Sequence, residues 1–368
     1  MLLPPFLLDQ WLAAHEFASP PIRYNLASST GPAWTFGELA ALGGGEIVAA
    51  LKELKVSYAP PEGTAELRQA IADLHDIAPD WVVVTTGASE ALSILYCLAA
   101  GPKASIVVPN PGFPAFAAMA RAWGLNVTSY ELERARGFVQ SADLVLAAVN
   151  DDTRLVIVNS PHNPTGSLMP PAQVERLAAA LAERGIPLVV DEVYHPLYFG
   201  APMPSAAKAV NTIVVSDLSK ALSLSGLRIG WLIDRDTRRR ERLINLRSYF
   251  TVSGSPITEA IAVHALAHRR VILARLEEVA RTNLASLDEF MNAHVSTLGW
   301  VRPGGGTVAF PWRLDGHNTR PMCAALAREG VLVAPGDCFE AAAHFRVGFG
   351  AQASGFQQAL DIAARSVS

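Results

Sequence analysis

Between Val82 and Ile233 the chain alternates short apolar runs rich in β-branched residues with longer stretches rich in Ala and Leu. Turns containing Gly, Pro or Asn follow the apolar runs, as in "WVVVTTGASEALSILYCLAA" and "RLVIVNSPHNPTG". Continuous apolar runs of this length predict strands buried on both faces, and the Ala/Leu-rich stretches predict helices. The pattern therefore predicts an α/β fold with a mostly parallel sheet sandwiched by helices.

Beyond about residue 235 the pattern changes to long helical stretches rich in Ala, Arg, Glu and Leu. These stretches cover 238–250 and 257–294, with the turn "TVSGSP" between them. Three short strand-like runs follow: "GTVAFPW", "GVLVAPG" and "FRVGFG". The sequence thus predicts a large α/β domain over 45–250 and a small α+β domain formed by 1–44 and 251–368.

Composition restricts the classes of partner. Half of the 368 residues are hydrophobic, the formal net charge is -4, and no basic block is present, so we expect no nucleic-acid partner. The start, "MLLPPFLLDQWLAAHEF", lacks the basic region of a signal peptide, and no apolar stretch has membrane-spanning length. Three scattered cysteines without a CxxC pair predict neither a disulfide framework nor a metal site. We expect a cytoplasmic protein without membrane contact.

Polar turns after apolar strands are the first candidates for a site, because parallel sheets bind ligands beyond the carboxyl ends of their strands. "TTGASEAL" places Gly87, Ala88 and Ser89 between a strand and a helix. Free N–H groups at a helix start favour a phosphate, to which the Ser89 hydroxyl could also donate. An ordinary turn with a serine cap explains the same residues. So does a nucleophile elbow, since Gly-x-Ser-x-Ala nearly matches Gly-x-Ser-x-Gly.

Asp191 directly follows the buried strand "IPLVV" and could face a cationic ring nitrogen, a metal ion or water. A P-loop ATPase is excluded because the chain has no G-x-x-x-x-G-K-[ST] motif. Tyr194 could reach the same pocket or be a core tyrosine with one hydrogen bond. Asn163 in the turn "PHNPTG" needs no function, and Phe113 in "NPGFPAF" could equally be core.

Two cations stand out from their surroundings. Arg346, between Phe and Val in "FRVGFG", must either extend its charge to solvent or pair with an anion such as a substrate carboxylate. Lys220, in "VVSDLSKALSLSGLRIGW", is the last of five lysines in a chain with twenty-five arginines. A lysine in a polar turn of such a sequence invites a chemical explanation, although chance is the simpler one.

Together these residues suit pyridoxal 5'-phosphate. Lys220 would form the Schiff base, and Asp191 would keep the pyridine nitrogen protonated so that the ring accepts electrons. Phe113 would stack on the ring face, and Asn163 and Tyr194 would hydrogen-bond the phenolic oxygen.

The cofactor phosphate has its own set of expected partners. It would lie on the turn formed by Gly87, Ala88 and Ser89, where backbone N–H groups are free. Ser219 and Arg228 would add a hydroxyl and a positive charge. These assignments combine the polar turns described above into one predicted cofactor site.

With these residues in place, the sequence resembles the class I and II aminotransferases of pyridoxal-phosphate fold type I. The resemblance runs from about Tyr58 to the C-terminus through eight ordered motifs: "Y..PEGTAELRQAIA", "TTGASEAL", "PNPGFPAF", "NSPHNPTG", "VVDEVY", "SDLSKALSLSGLRIGW", "GVLVAPGDCF" and "FRVGFG". It implies a seven-stranded central sheet, amino acid and 2-oxo acid substrates, and a homodimer in which Tyr58 reaches the neighbouring subunit's phosphate. It also implies that Lys220 moves the proton at the substrate Cα, while Arg346 with Asn163 holds the α-carboxylate.

Two features depart from the family pattern. The glycine of the family's N-terminal substrate loop is not evident, and "YNLASSTGPAWTFGEL", which is similar to the capreomycidine-synthase-like branch, stands in its place. Asp217 replaces the usual Ser or Thr that donates to the phosphate. Because a carboxylate would repel the phosphate, we expect Asp217 to turn toward a donor or a cation, with Arg228 as a candidate.

Several functions remain open from the sequence. The first is an aminotransferase, with Tyr24, Asn25, Trp34 and Phe250 as candidates for shaping the substrate pocket. The same cofactor would also serve a lyase or cyclase that performs β- or γ-elimination or ring closure. A serine hydrolase would use Ser89 with His195, but no oxyanion loop of the HGGG type is present. A non-catalytic regulator that binds the cofactor would need a DNA-binding domain for which the chain has no room.

Overall fold

The computed structural model describes residues 4–16, 18–19 and 21–367. Its N-terminal segment contains three helices and one short strand: α1 (Leu7–Glu16), β1 (Tyr24–Asn25), α2 (Phe36–Ala41) and α3 (Glu46–Glu53). A capping box begins α2, because the Thr35 hydroxyl accepts from the Glu38 N–H while the Glu38 carboxylate accepts from the Thr35 N–H.

A seven-stranded sheet forms the centre of the molecule. In chain order its strands are β2 (Val82–Thr85), β3 (Ser105–Asn110), β4 (Asn126–Glu131), β5 (Thr153–Asn159), β6 (Leu188–Asp191), β7 (Thr212–Asp217) and β8 (Gly230–Asp234). Their spatial order is β2-β8-β7-β6-β5-β3-β4. Only β8 is antiparallel to its neighbours, so the predicted mostly parallel, seven-stranded α/β sheet is confirmed.

Helices cover both faces of this sheet. The helices between α3 and the C-terminal region are α4 (Ala65–His75), α5 (Gly87–Ala99), α6 (Ala115–Ala122), α7 (Ala142–Leu146), α8 (Pro171–Glu183), α9 (Thr237–Phe250) and α10 (Pro256–Ala267). Leu155 and Ile157 of β5 share a core with α5, α6 and α9, whereas Val156 and Val158 share another with α4, α7 and α8. Burial on both faces explains why the strands read as continuous apolar runs.

The C-terminal part combines three helices with short strands. Its elements are α11 (Arg269–Ala293), β9 (Leu298–Gly299), β10 (Val308–Ala309), β11 (Trp312–Arg313), α12 (Arg320–Arg328), β12 (Val331–Leu332), β13 (Ala334–Pro335), β14 (Phe345–Gly348) and α13 (Phe356–Val367). β1 pairs in parallel with β12, so the N-terminal segment joins this part of the molecule. No helix within the described ranges is both long and apolar enough to cross a bilayer.

The helical stretch expected over 257–294 consists of two helices, because His268 separates α10 from α11. The two pieces pack on different partners: α10 contacts α3 and α4, while α11 contacts α13. The ring of His268 also hydrogen-bonds the carbonyl of His264 at 2.9 Å, which competes with regular helical bonding. Tertiary packing therefore overrides a continuous helical pattern here.

Candidate active site

Asp191 lies at the carboxyl end of β6 and is buried. Its carboxylate accepts hydrogen bonds from Asn159 Nδ2 and from the Val193 N–H, each at 3.2 Å. Burial raises the pKa of Asp191 to about 7; the Val193 N–H and the charge of Lys220 oppose that rise, while nearby Asp217 adds to it. A cationic partner would favour its ionised form, so the site is built to receive a positive charge.

The turn after β5 joins Asn163 to the far end of the chain. Arg346 on β14 donates from Nη1 to Asn163 Oδ1 at 3.1 Å and from Nη2 to the Ala27 carbonyl at 2.6 Å. Its side chain is 1% exposed, and its Nε has no hydrogen-bond partner among the described residues. A buried guanidinium with a free donor suits an anionic ligand such as a carboxylate.

Lys220 follows β7 and points toward the same region. Its Nζ donates to Ser29 Oγ at 2.9 Å, across 191 positions of sequence. Burial lowers the pKa of Lys220; the carboxylates of Asp217 and Asp191 oppose this, while Arg346 and Arg228 contribute to it. A lowered pKa increases the fraction of neutral, nucleophilic amine at a given pH.

The turn at the start of α5 is closely packed against Arg228. Gly87 adopts a φ of +73°, and a Cβ added there would lie 2.4 Å from Arg228 Nη2. A Cβ on Gly230 would lie 2.4 Å from the Gly87 carbonyl carbon, so glycine is required at both positions. The guanidinium of Arg228 thus lies beside the N–H groups of the first turn of α5, an arrangement that favours a phosphate.

Asp217 faces backbone donors. Its Oδ1 accepts from the Ser219 N–H at 2.8 Å, and its Oδ2 accepts from the Ala88 N–H at 3.5 Å. The expectation that Asp217 turns toward a donor therefore agrees with the structure, but the donors are these amides. Arg228 instead donates to the Ser225 carbonyl at 3.1 Å. The Ala88 N–H of the candidate phosphate site therefore already donates to Asp217.

A cavity of about 710 Å³ borders the start of α5, and Asp191, Lys220, Arg228 and Arg346 are not among its lining residues. Ser89 and Phe113 both line it, and the ring of Phe113 packs edge-on against Phe116 and Phe6. Tyr194 is fully buried beside Gly306, and burial raises the pKa of its hydroxyl to about 12. The volume is in the range that holds a cofactor and a small substrate.

Some predicted residues lie apart from this arrangement. Tyr58 is on the loop between α3 and α4 and its side chain is 84% exposed, so this chain alone does not bring it into the cluster. His195 hydrogen-bonds Tyr198 at 2.9 Å and stacks on His75, and it forms no hydrogen bond with Ser89. The described residues thus do not pair Ser89 with His195, as the hydrolase alternative requires.

The four candidates for shaping the pocket also have other contacts. Asn25 accepts from the N–H groups of Ala27 and Ser28, and the remaining three pack with neighbouring side chains: Tyr24 with Arg23, Trp34 with Arg275, and Phe250 with Trp123. None of the four lines the 710 Å³ cavity.

Sequence reasoning missed two residues that organise the site. Asn159 bonds Asp191 through its Nδ2, and its Oδ1 accepts from the Asn163 N–H at 2.7 Å, so one amide joins two predicted residues. Its position at the end of a buried strand was an available signal. Ser29 contacts Lys220, and only the unusual "LASSTG" segment pointed toward it.

The residues present fit pyridoxal 5'-phosphate. Asp191 can face a cationic ring nitrogen, Lys220 supplies an amine of lowered pKa, and Arg228 with the α5 turn suits a phosphate. The buried, free Nε of Arg346 suits a substrate carboxylate. Asp217 is the exception, because its carboxylate borders the phosphate position.

Comparisons with known proteins agree with this geometry. The family model "Aminotransferase class I and II" matches residues 46–365. Capreomycidine synthase of Streptomyces vinaceus is 32% identical over 94% of this chain and 90% of its own length. A PLP-dependent aminotransferase from Streptococcus suis has a TM-score of 0.90 at 26% identity, covering 100% of this chain and 97% of that one. The PLP-dependent cyclase OrfR has a TM-score of 0.88 at 27% identity, covering 100% and 98%. The chain therefore belongs to the class I and II aminotransferase family, with the fold of PLP-dependent enzymes and pyridoxal 5'-phosphate as its cofactor.

Proposed function

We propose that the protein is an aminotransferase that moves the amino group of an α-amino acid to a 2-oxo acid. The observation that carries this proposal is the convergence of Lys220, Asp191 and the Arg346–Asn163 pair on one site. When bound, pyridoxal 5'-phosphate supplies an electron-accepting ring that weakens the bonds at the substrate Cα.

The chain's own residues have separate tasks in this proposal. Lys220 would hold the cofactor through its amine, and the same amine would move the proton at the substrate Cα. Asp191 keeps the ring nitrogen protonated, and its buried position strengthens that interaction. Asn163 and Tyr194 would hydrogen-bond the phenolic oxygen, and Phe113 would pack on the ring.

Binding groups complete the assignment. Gly87, Ala88 and Ser89 present N–H groups and a hydroxyl to the phosphate, and Ser219 and Arg228 add to them. The substrate α-carboxylate pairs with Arg346 and Asn163, which fixes the Cα next to Lys220.

The test is a half-reaction with single amino acids. The purified holoenzyme is mixed with one amino donor in the absence of any 2-oxo acid. Transamination predicts one equivalent of the corresponding 2-oxo acid and a cofactor left in its amine form, and added pyruvate or 2-oxoglutarate then restores the original form. Release of ammonia, or a cyclic amino acid as product, would refute the aminotransferase assignment.

The second candidate function is a PLP-dependent cyclase or lyase. Its support is the likeness to capreomycidine synthase and to the cyclase OrfR, together with a substrate segment that has Ser29 beside Lys220. The same site would serve, since both reactions begin with removal of the Cα proton. The half-reaction distinguishes the two, because elimination or ring closure returns the cofactor unchanged.

A further inference from the structure

Helix α1 forms one wall of the 710 Å³ cavity. Leu8 and Trp11 are buried, and Trp11 Nε1 donates to the Val333 carbonyl at 2.9 Å, so the helix is fixed in position. Phe6, just before α1, packs edge-on against Phe113 with ring centroids 6.0 Å apart. Asp9 lies between these anchors and lines the cavity. Its carboxylate is therefore held at the candidate site by a rigid element.

Asp9 lies within electrostatic range of Lys220 and Arg346. Burial raises the pKa of Asp9, and the positive charges of Lys220 and Arg346 oppose this rise. Burial lowers the pKa of Arg346, and the negative charges of Asp9 and Glu16 oppose this fall. Across residues 4–16, 18–19 and 21–367, no side chain forms a hydrogen bond or a salt bridge with Asp9.

The other charged groups around the cavity each lack one of these features. Asp337 is neutralised by Arg320, whose Nε lies 2.6 Å from its carboxylate. Glu340 and Arg121 also line the cavity and, like Asp9, are exposed to solvent. Asp9 is thus the carboxylate that combines a fixed position, no hydrogen-bonded partner and proximity to Lys220 and Arg346.

The carboxylate of Asp9 could pair with a charge on the substrate side chain. Phe339 lines the cavity that Asp9 borders, and its ring centroid lies 5.2 Å from Arg346 Cζ, so a substrate whose α-carboxylate pairs with Arg346 can extend its side chain into this cavity. We propose that Asp9 selects an amino donor whose side chain ends in an ammonium or guanidinium group, and disfavours donors with an acidic side chain. The inference rests on the proposed function, because it assumes an α-amino acid bound at Arg346. Opposite charges favour one class and like charges repel the other.

The experiment measures amino-acid binding to the holoenzyme by calorimetry and by the cofactor's absorbance change. L-arginine, L-lysine, L-norleucine and L-glutamate are compared at one pH and ionic strength. We expect the two cationic amino acids to bind on the order of tenfold tighter than L-norleucine, with L-glutamate weakest. Asp9→Asn should reduce the ratio of L-arginine to L-norleucine affinity about tenfold.

Glu340→Gln is the matched control, since it removes a carboxylate from the same cavity and should leave that ratio unchanged. An Asp9→Asn ratio equal to the wild-type ratio, or L-glutamate binding tighter than L-arginine, overturns the proposal while leaving the aminotransferase assignment intact. If none of the four amino acids binds a holoenzyme that carries its cofactor, the proposed function fails together with this inference. Thermal unfolding of each variant verifies that its fold is retained.

Discussion

Burial is the largest influence on the charged side chains at the site. It lowers the pKa of Lys220 and Arg346 and raises that of Asp191. Sequence position revealed these three residues because each lies on or just after an apolar strand. It could not reveal Ser29, because the partner of a lone serine 191 positions away depends on the tertiary fold.

The negative charge of Asp217 should weaken binding of the cofactor phosphate. Asp217→Asn retains an oxygen that can accept from the Ser219 N–H but removes the negative charge beside the phosphate position. We expect the variant to bind pyridoxal 5'-phosphate about tenfold more tightly, which corresponds to about 1.4 kcal/mol. The dissociation constant is measured by fluorescence titration of cofactor-free protein. Weaker binding by the variant would show that the carboxylate assists the phosphate.

A second prediction concerns Ser29. Ser29→Ala removes the hydroxyl that Lys220 Nζ contacts at 2.9 Å, so kcat should fall between about twofold and tenfold with cofactor content unchanged. Ser28→Ala is the matched control, because the Ser28 hydroxyl pairs with Thr30 instead. Equal effects of the two substitutions would contradict a specific contact with Lys220.

At the scale of elements, a buried polar network connects α4, β6 and β8. His75 on α4 accepts from Trp231 Nε1 of β8 and pairs with Ser205, whose hydroxyl donates to Glu192 just after β6. No sequence pattern indicated this network, because its members are far apart in the chain. The strands themselves were predictable from their apolar runs, whereas the break at His268 was not, because it follows from packing.

This network predicts a pH-dependent stability. Burial raises the pKa of Glu192 from 4.5 to about 7, although the Ala206 N–H and the Ser205 hydroxyl oppose the rise. Between these two values the unfolded chain has released the proton while the folded protein keeps it, so stability falls as pH rises. This difference in pKa lowers the free energy of unfolding by about 3 kcal/mol as the pH rises through the window. Glu192→Gln should abolish that decrease.

Urea unfolding of the cofactor-free protein at pH 5 and pH 8 measures the effect. The control is Glu175→Gln, since Glu175 is exposed and lines the same 270 Å³ cavity as Glu192. An identical change with pH in wild type and Glu192→Gln would contradict a raised pKa for Glu192.

In the whole molecule, the pairing of β1 with β12 joins the N-terminal segment to the C-terminal part, while the division into 45–250 and 1–44 with 251–368 stays a prediction. The exposed Tyr58 suits the proposed homodimer, in which it would reach the neighbouring subunit's phosphate. Domain boundaries and subunit contacts depend on interactions between segments far apart in the chain. The local sequence pattern therefore predicts them less well than it predicts the strands.

We therefore expect light scattering to give twice the 39.2 kDa chain mass. Tyr58→Phe should weaken cofactor binding about fivefold by removing one hydrogen bond to the phosphate. Tyr249→Phe is the control, because Tyr249 is another highly exposed tyrosine, on α9. A monomer, or equal cofactor affinity in both variants, would contradict the dimeric site.

Lys220 should carry the cofactor, and borohydride reduction of the holoenzyme tests this attachment. The protein is incubated with pyridoxal 5'-phosphate, reduced with borohydride, digested and analysed by mass spectrometry. We predict the mass of the reduced cofactor on the peptide that contains Lys220, with no label there in Lys220→Ala and full label in Lys208→Ala. Label on another lysine, or none on the wild-type protein, would contradict the account.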